Sequence, residues 1–395
     1  MDAETERPLV AIACGGTGGH LFPGVAVGEE LIRRGCDVML IVSEKEIDRR
    51  AARGADGMEV VALPAVGLGR NPIPFLLGLL KSRRAILKTF KRRKPSAVLG
   101  MGGFTSAAPI LAGRAIGAKT FLHESNTIPG RANRWLSRKV DELFVWFPET
   151  AARLQSVRAK PVGMPVRGDF RRTDPAEARE KLGLERDRQT LLVMGGSQGA
   201  RSINRGMIEA ASSLCPDDGA PQILHLTGTG DREAVSAAYA KQGIRAVVHD
   251  FLDDMPAALN AATLALARSG ASSMAELAAI GTPTLLIPYP HAADNHQFYN
   301  AKAFASANAA RMLEEADLTG ASLAEQVKAL LAGPDALAQM SENALARHEP
   351  DAARRIADRI LASANQFSVA DDDERDTGGS IEHAPGRRVL KGALP

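Results

Sequence analysis

Two glycine-rich segments stand where a backbone could wrap a phosphate. The first, Gly15-Gly16-Thr17-Gly18-Gly19-His20, follows the apolar run Leu9 to Cys14; the second, Gly195-Gly196-Ser197-Gln198-Gly199-Ala200, follows Thr190 to Met194. Glycine admits positive φ and close ligand approach, and a helix starting just beyond offers unpaired N–H groups and a positive dipole end to an anion. One such loop could be no more than a tight turn. Two, in matched strand–loop–helix settings, point to two nucleotide-type domains facing one cleft. His20 closes the first loop, and an imidazole there could take a proton near neutral pH. The plainer role is a helix-end or core histidine; its place beside a phosphate-type loop favours chemistry.

Further polar groups lie at other expected strand ends. Arg268-Ser269-Gly270 opens a helix on which Glu276 falls, and a carboxylate there can accept both hydroxyls of a ribose. Taken alone, an ordinary exposed helix glutamate is the commoner outcome. In the segment from Pro288 to Asn300, Asp294 is a candidate N-cap. Gln297 and Asn300, three apart on one helical face, suit sugar hydroxyls. His123-Glu124-Ser125-Asn126 ends a strand, and Gly102-Gly103 forms another glycine turn that could hold a second phosphate. Asp371-Asp372-Asp373 is not expected to hold a metal, since it falls in a polar tail. Asp253-Asp254 reads as a helix cap.

To position these groups the chain must alternate strands with helices. Strands are expected at 9–14, 37–43, 59–62, 97–101, 119–123 and 141–147, then at 190–195, 222–227, 245–250, 263–268 and 283–288. Helices are expected at 24–34, 46–53, 73–93, 106–116, 130–138 and 149–156, then at 200–214, 231–241, 254–261, 272–280, 296–306 and 321–332. This alternation implies an α/β protein of two doubly wound Rossmann-like domains facing a cleft, with ligands at the carboxyl ends of the strands. The expected division is 1–164 for an acceptor- and membrane-associating domain and 165–348 for a donor domain. A C-terminal helix at 349–366 packs back on the first domain, and 367–395 is a disordered tail. The boundary falls in the stiff Pro161-Val-Gly-Met-Pro-Val-Arg167 connector.

With 395 residues, 45% hydrophobic and 24% charged, the chain is long enough for two cores, and its net charge of +3 is unevenly placed. Residues 1–165 carry 25 Lys/Arg against 15 Asp/Glu, so the first half is the basic one and the place for an anionic partner. The segment from Ile73 carries Phe75, Leu76 and Leu79, then Lys81, Arg83 and Arg84. It is too short to cross a bilayer, but it suits lying in an anionic interface. A core helix with a solvated basic end is the equal alternative. The polar start reads as no export signal, and Cys14, Cys36 and Cys215 are too scattered for a zinc site or disulfide framework. A reducing cytoplasm fits.

In combination, these residues resemble the MurG family of glycosyltransferase-B fold enzymes. The motifs are GGTGGHLFPG from Gly15, GMGGF from Gly100, HExN at His123, VGxPVR ending at Arg167, GGSQGA from Gly195, RSGxxxxxE at Arg268 and DxxQxxNA from Asp294. The resemblance implies inverting transfer of GlcNAc from UDP-GlcNAc to the 4-hydroxyl of MurNAc in lipid I, giving lipid II, at the cytoplasmic face of the inner membrane and without a cofactor or metal. It implies that Glu276 binds the ribose, that the backbone at Leu252 reads uracil, and that Ser197, Arg167 and Gly270 bind the diphosphate. Gln297, Asn300 and Asn126 would hold GlcNAc. Lipid I would place its pyrophosphate at the loop from Gly15 and Gly16, with Thr17, Gly18 and Gly19 also bordering the donor. Gly102, Gly103 and Glu124 would complete the acceptor side, and His20 is the candidate base. Ser125, Met164 and Ala107-Ala108 depart from the usual forms of the motifs.

Other readings are a tubulin-like GTPase, suggested by GGTGG alone, a dehydrogenase, another UDP-sugar transferase acting on a lipid, and a UDP-GlcNAc epimerase. The first leaves GGSQGA, RSGxxxxxE and DxxQxxNA unused. The dehydrogenase lacks GxGxxG, and the epimerase has no need of a basic, apolar surface.

Overall fold

The computed structural model describes residues 7–15, 18–44, 55–64, 72–154, 158–196, 199–216 and 220–375. The first domain runs β1 (Leu9–Ala13), α1 (Gly18–Arg33), β2 (Asp37–Ser43), β3 (Glu59–Leu63), α2 (Pro72–Arg92), β4 (Ala97–Gly100), α3 (Ala107–Ala115) and β5 (Lys119–Glu124). It closes with α4 (Arg131–Leu136), β6 (Glu142–Val145), α5 (Pro148–Leu154) and β7 (Ala159–Pro161). The second runs α6 (Pro175–Lys181), β8 (Thr190–Met194), α7 (Arg201–Leu214), β9 (Gln222–Leu226), α8 (Arg232–Lys241), β10 (Ala246–His249), α9 (Met255–Ala261) and β11 (Leu264–Ala267). It continues through α10 (Ala271–Ile280), β12 (Thr284–Leu286), α11 (His296–Ala305), β13 (Arg311–Met312), α12 (Gly320–Leu331) and α13 (Pro334–Leu345).

All pairings are parallel, in the orders β3-β2-β1-β4-β5-β6-β7 and β10-β9-β8-β11-β12-β13. Helices cover both faces, so the inner strands are apolar along their whole length: β1, β4, β8 and β11 are buried at every residue. Strand order reverses between β1 and β4 and between β8 and β11. The four glycine turns at Gly15, Gly102, Gly195 and Gly270 follow these four strands and sit at the two switch points.

A last helix, α14 (Ala352–Arg375), returns to the first domain. Its Ile356, Ala357 and Ile360 are fully buried in the core that holds β1, β2 and α1, each isoleucine contributing about 1.5–3 kcal/mol. Arg34 pairs with Asp358 at 2.5 Å and Arg359 with Glu142 at 2.7 Å. The boundary expected at 367 needs correction, because the helix continues to Arg375. No glycine or proline interrupts it before Gly378; residues 376–395 lie outside the described ones, as does the helix expected at 46–53.

Other departures have local causes. α1 begins at Gly18 rather than at 24, with Pro23 inside it. α6 and α13 were not anticipated, although each opens on a proline in its first turn. β7 and β13 are sheet edges of three and two residues, too short for a pattern.

Candidate functional site

The first-domain wall is built around His20. Gly102 has φ +112°, and a Cβ there would stand 3.0 Å from His20 Cε1 and 3.2 Å from Asn133 Nδ2. Glycine is required for both reasons. The turn is tied down: Ser106 Oγ donates to Gly102 O at 2.8 Å and accepts from Gly102 N at 3.1 Å, and Thr105 Oγ1 donates to Gly15 O. Gly102 and Gly103 therefore support the histidine as well as bordering the cleft.

The HExN cluster sits below it. His123 is fully buried, with Nε2 2.9 Å from Gly163 O in the connector, and burial pushes its imidazole down to about 4, so it is neutral. Glu124 is buried, and its carboxylate accepts from Asn126 N (2.9 Å), Asn126 Nδ2 (3.1 Å), Gly130 N (2.9 Å) and Asn133 Nδ2 (2.8 Å). Burial raises its pKa against these bonds, which favour the charged form. Every bond goes to its own domain. These bonds organise the 125–133 turn around the carboxylate.

The second-domain wall is more open. A Cβ at Gly196 or Gly270 would meet nothing within 4 Å. Gly199, at φ +73°, instead presses on Thr227 O, where a side chain would collide. Buried His225 bridges Tyr239 (2.8 Å) and Asn204 (3.0 Å), and Asn204 Nδ2 holds Thr227 O at 3.0 Å, fixing the start of α7 beside this loop. Glu276, on the second turn of α10, keeps part of its surface open to the cleft. Lost hydration nevertheless pushes its carboxyl up to about 7, against the pull of Arg167. Gln297 Oε1 accepts from Tyr289 N at 3.0 Å, which leaves its NH2 as the outward group, and Ser269 Oγ donates to Gln297 O at 2.8 Å. Leu252, just past β10, packs partly on the second-domain core.

The walls touch. Ser272 Oγ donates to Gly19 O at 2.8 Å. That carbonyl is available because Pro23, four residues on, has no N–H to give it. Asn300 is fully buried: Oδ1 accepts from Thr127 N and Thr127 Oγ1, both at 3.0 Å, while Nδ2 donates to Asn126 Oδ1 (3.0 Å) and Ser269 O (3.2 Å). In this arrangement both amide ends are used, and Asn126 gives its Nδ2 to Glu124. The two asparagines and Thr127 form a clasp between the domains. Asp294 is no N-cap. It has φ +52°, and its carboxylate crosses to Arg134 at 2.7 Å. Arg167 lies with its guanidinium 5.0 Å from the Phe22 ring of α1 and 5.2 Å from Phe170, beside Asp169 at 3.6 Å. That position is at the hinge and next to Glu276.

Gly16, Thr17 and Ser197 lie outside the described residues, as does the side chain of Ile73. Among the remaining residues expected at a membrane, Phe75 packs edge-on against Phe104 at 4.9 Å and Leu79 packs on the core. Leu76 is 56% exposed, joined by Leu77 at 62% and Leu80 at 43%. Leu77 and Leu80 stand in the same expected apolar stretch from Ile73 to Lys81, and a 3.6-residue period applied to α2 places both beside Leu76. The sequence reading missed Thr127 and Ser272, whose partners Asn300 and Gly19 are 173 and 253 residues away, and Asn133, which holds Glu124 from nine residues on. Among the described residues no acidic, histidine or cysteine group could hold a metal ion, and no helix is long and apolar enough to cross a membrane.

Two facing doubly wound domains, with an open carboxyl and glycine turns on one wall and a histidine on the other, define a two-domain nucleotide-sugar glycosyltransferase. Residues 10–145 match the glycosyltransferase family 28 N-terminal domain and 190–356 its C-terminal domain. The chain is 39% identical over 359 residues to the UDP-N-acetylglucosamine--N-acetylmuramyl-(pentapeptide) pyrophosphoryl-undecaprenol N-acetylglucosamine transferase of Syntrophus aciditrophicus, covering 89% of this chain and 98% of that one. The same-named enzyme of Myxococcus xanthus is 37% identical, covering 88% and 91%. Acinetobacter baumannii MurG superposes with a TM-score of 0.71 at 26% identity, over 90% of this chain and 99% of that one. A UDP-N-acetylglucosamine 2-epimerase, at 0.66 and 15%, shares the fold alone. The chain belongs to the family of UDP-N-acetylglucosamine--N-acetylmuramyl-(pentapeptide) pyrophosphoryl-undecaprenol N-acetylglucosamine transferases.

Proposed function

We propose that this cleft transfers GlcNAc from UDP-GlcNAc to the MurNAc 4-hydroxyl of lipid I, with inversion, giving lipid II and UDP for peptidoglycan synthesis. The observation that carries the reading is the bond from Ser272 Oγ to Gly19 O. It brings the starts of α10 and α1 together, so that Glu276 and His20 border one cleft from opposite walls. His20 takes the proton of the acceptor hydroxyl as its oxygen attacks the anomeric carbon and UDP departs. Glu276 accepts the ribose hydroxyls, and the backbone at Leu252 reads uracil. Gln297 donates its NH2 to the sugar. Charge on the leaving diphosphate is met by backbone N–H groups at Gly270 and the Gly195 loop, by Ser197 and by Arg167. The acceptor pyrophosphate lies along Gly15–Gly19 and Gly102–Gly103.

The leucine ridge of α2, followed by exposed Lys81, Arg84 and Lys88, supports peripheral contact with an anionic membrane at the cytoplasmic face of the inner membrane. Replacing Leu76, Leu77 and Leu80 by serine is expected to lower binding to phosphatidylglycerol vesicles while preserving UDP binding.

The test incubates purified protein with radiolabelled UDP-GlcNAc and a lipid I analogue. Label entering the organic phase only when acceptor is present is the expected result. Tight UDP binding without transfer would overturn the acceptor assignment, and no UDP binding would overturn the donor site.

A further inference from the structure

Arg268 is 8% exposed and directly follows β11, beneath the donor wall. A buried guanidinium is costly unless its donors are used and its charge is paired, and here its donors reach three acceptors beside one carboxylate. Nη1 donates to Ile287 O at 3.1 Å and Pro288 O at 3.2 Å, and Nη2 donates to Ser202 Oγ at 2.9 Å. Glu315, in the short helical turn Glu315–Asp317, balances the charge. The Tyr289 ring lies 5.3 Å from the guanidinium carbon.

These partners belong to the two ends of the donor site. Ser202 is the second residue of α7, directly after the Gly195–Ala200 loop. Ile287 and Pro288 begin the segment whose next residue, Tyr289, gives its N–H to Gln297 Oε1 at 3.0 Å. One rigid, planar group thus spans from the diphosphate end to the sugar end. A lysine is a point charge on a flexible stem and cannot hold that fork of contacts.

We infer that Arg268 is a positioning residue that fixes the distance between the diphosphate loop and the sugar-binding Gln297; this rests on the donor-site reading above. Misplaced by a fraction of an ångström, Gln297 loses its bond to the sugar, while the nucleotide contacts are largely kept.

The test compares wild type, Arg268→Lys, Ser202→Ala and Gln297→Ala in steady-state kinetics, with UDP and UDP-GlcNAc affinities from calorimetry. Arg268→Lys is expected to raise donor KM about tenfold, the scale of one lost hydrogen bond, with acceptor KM unchanged. Its UDP-GlcNAc affinity should fall further than its UDP affinity. Ser202→Ala removes a single surface-side bond without burying an unpaired charge, and should raise donor KM about threefold. Donor KM within twofold of wild type in both variants would overturn the inference, as would equal losses for UDP and UDP-GlcNAc. If Gln297→Ala also leaves donor KM unchanged, the donor-site reading itself falls, and this inference with it.

Discussion

Gly102 and Gly270 both follow the carboxyl end of an inner strand at a switch point, yet their surroundings differ. A side chain at Gly102 would press on His20 and Asn133, whereas one at Gly270 would meet nothing within 4 Å. The same contrast holds for the carboxylates. Glu124 accepts four hydrogen bonds from its own domain, while Glu276 has no such partners among the described residues and is pushed up to about 7. The protein uses the bonding capacity of Glu124 within the first wall, whereas Glu276 in the second keeps part of its surface exposed. Identical strand-end motifs therefore do not imply identical roles, and what separates them is whether the protein itself satisfies the group.

The sharpest way to break this contrast is at His20. Replacing it with alanine is expected to lower turnover by about 10³, within the range of a general base, with donor KM nearly unchanged. Near-normal turnover with an unaltered pH profile would remove His20 from the chemistry and leave the first wall purely structural.

Glu276→Ala comes next, with kcat/KM for UDP-GlcNAc down about 100-fold, as expected for charge-assisted bonds, and acceptor KM unmoved. Its pH dependence follows from the raised pKa. Ribose hydroxyls need the ionised acceptor, so UDP affinity should rise about tenfold from pH 6 to pH 8 and become flat in Glu276→Gln. Stability runs the other way. A group whose folded pKa lies above its unfolded one favours the fold below about 4.5, and that contribution is lost as pH rises through about 7. Glu276→Gln should therefore raise Tm at pH 8 and leave it unchanged near pH 4. A variant that is less stable at pH 8 would contradict the open, desolvated carboxyl.

Glu124→Gln probes the opposite wall. An amide there turns one accepting oxygen into a donor facing other donors, which should cost about 2 kcal/mol in denaturant unfolding. UDP affinity should change less than twofold. A large loss of acceptor binding with unchanged stability would instead place Glu124 in the acceptor site.

How much of this was visible beforehand depends on sequence distance. The strand–loop–helix alternation, both sheets and the glycine turns are local patterns, and they were legible because inner parallel strands are continuous apolar runs. α6 was missed although Asp174 caps it, accepting from Ala176 N at 2.7 Å, because the proline after it reads as a breaker before it reads as a helix opener. The clasp of Asn126 with Asn300 and the Asp294–Arg134 pair were not legible for another reason. Their partners are 174 residues away for Asn126 and Asn300, and 160 for Asp294 and Arg134, and a polar residue's type does not reveal that a distant domain will satisfy it.

The smallest effect lies where the two walls meet, and it can be isolated. Gly19 O has one cross-domain donor, Ser272 Oγ, and Pro23 removes the helical N–H that would otherwise compete for it. Ser272→Ala should cost about 1 kcal/mol, a roughly fivefold drop in kcat/KM. Pro23→Ala restores an N–H four residues beyond Gly19, which draws the carbonyl back along α1 and weakens the same bond. Because both changes act on one acceptor, the double variant should lose little more than the larger single loss. Fully additive losses would mean that the proline shapes α1 without governing domain contact. Sub-additive losses would place the control of closure in a helix break that sequence reading treats only as a helix start.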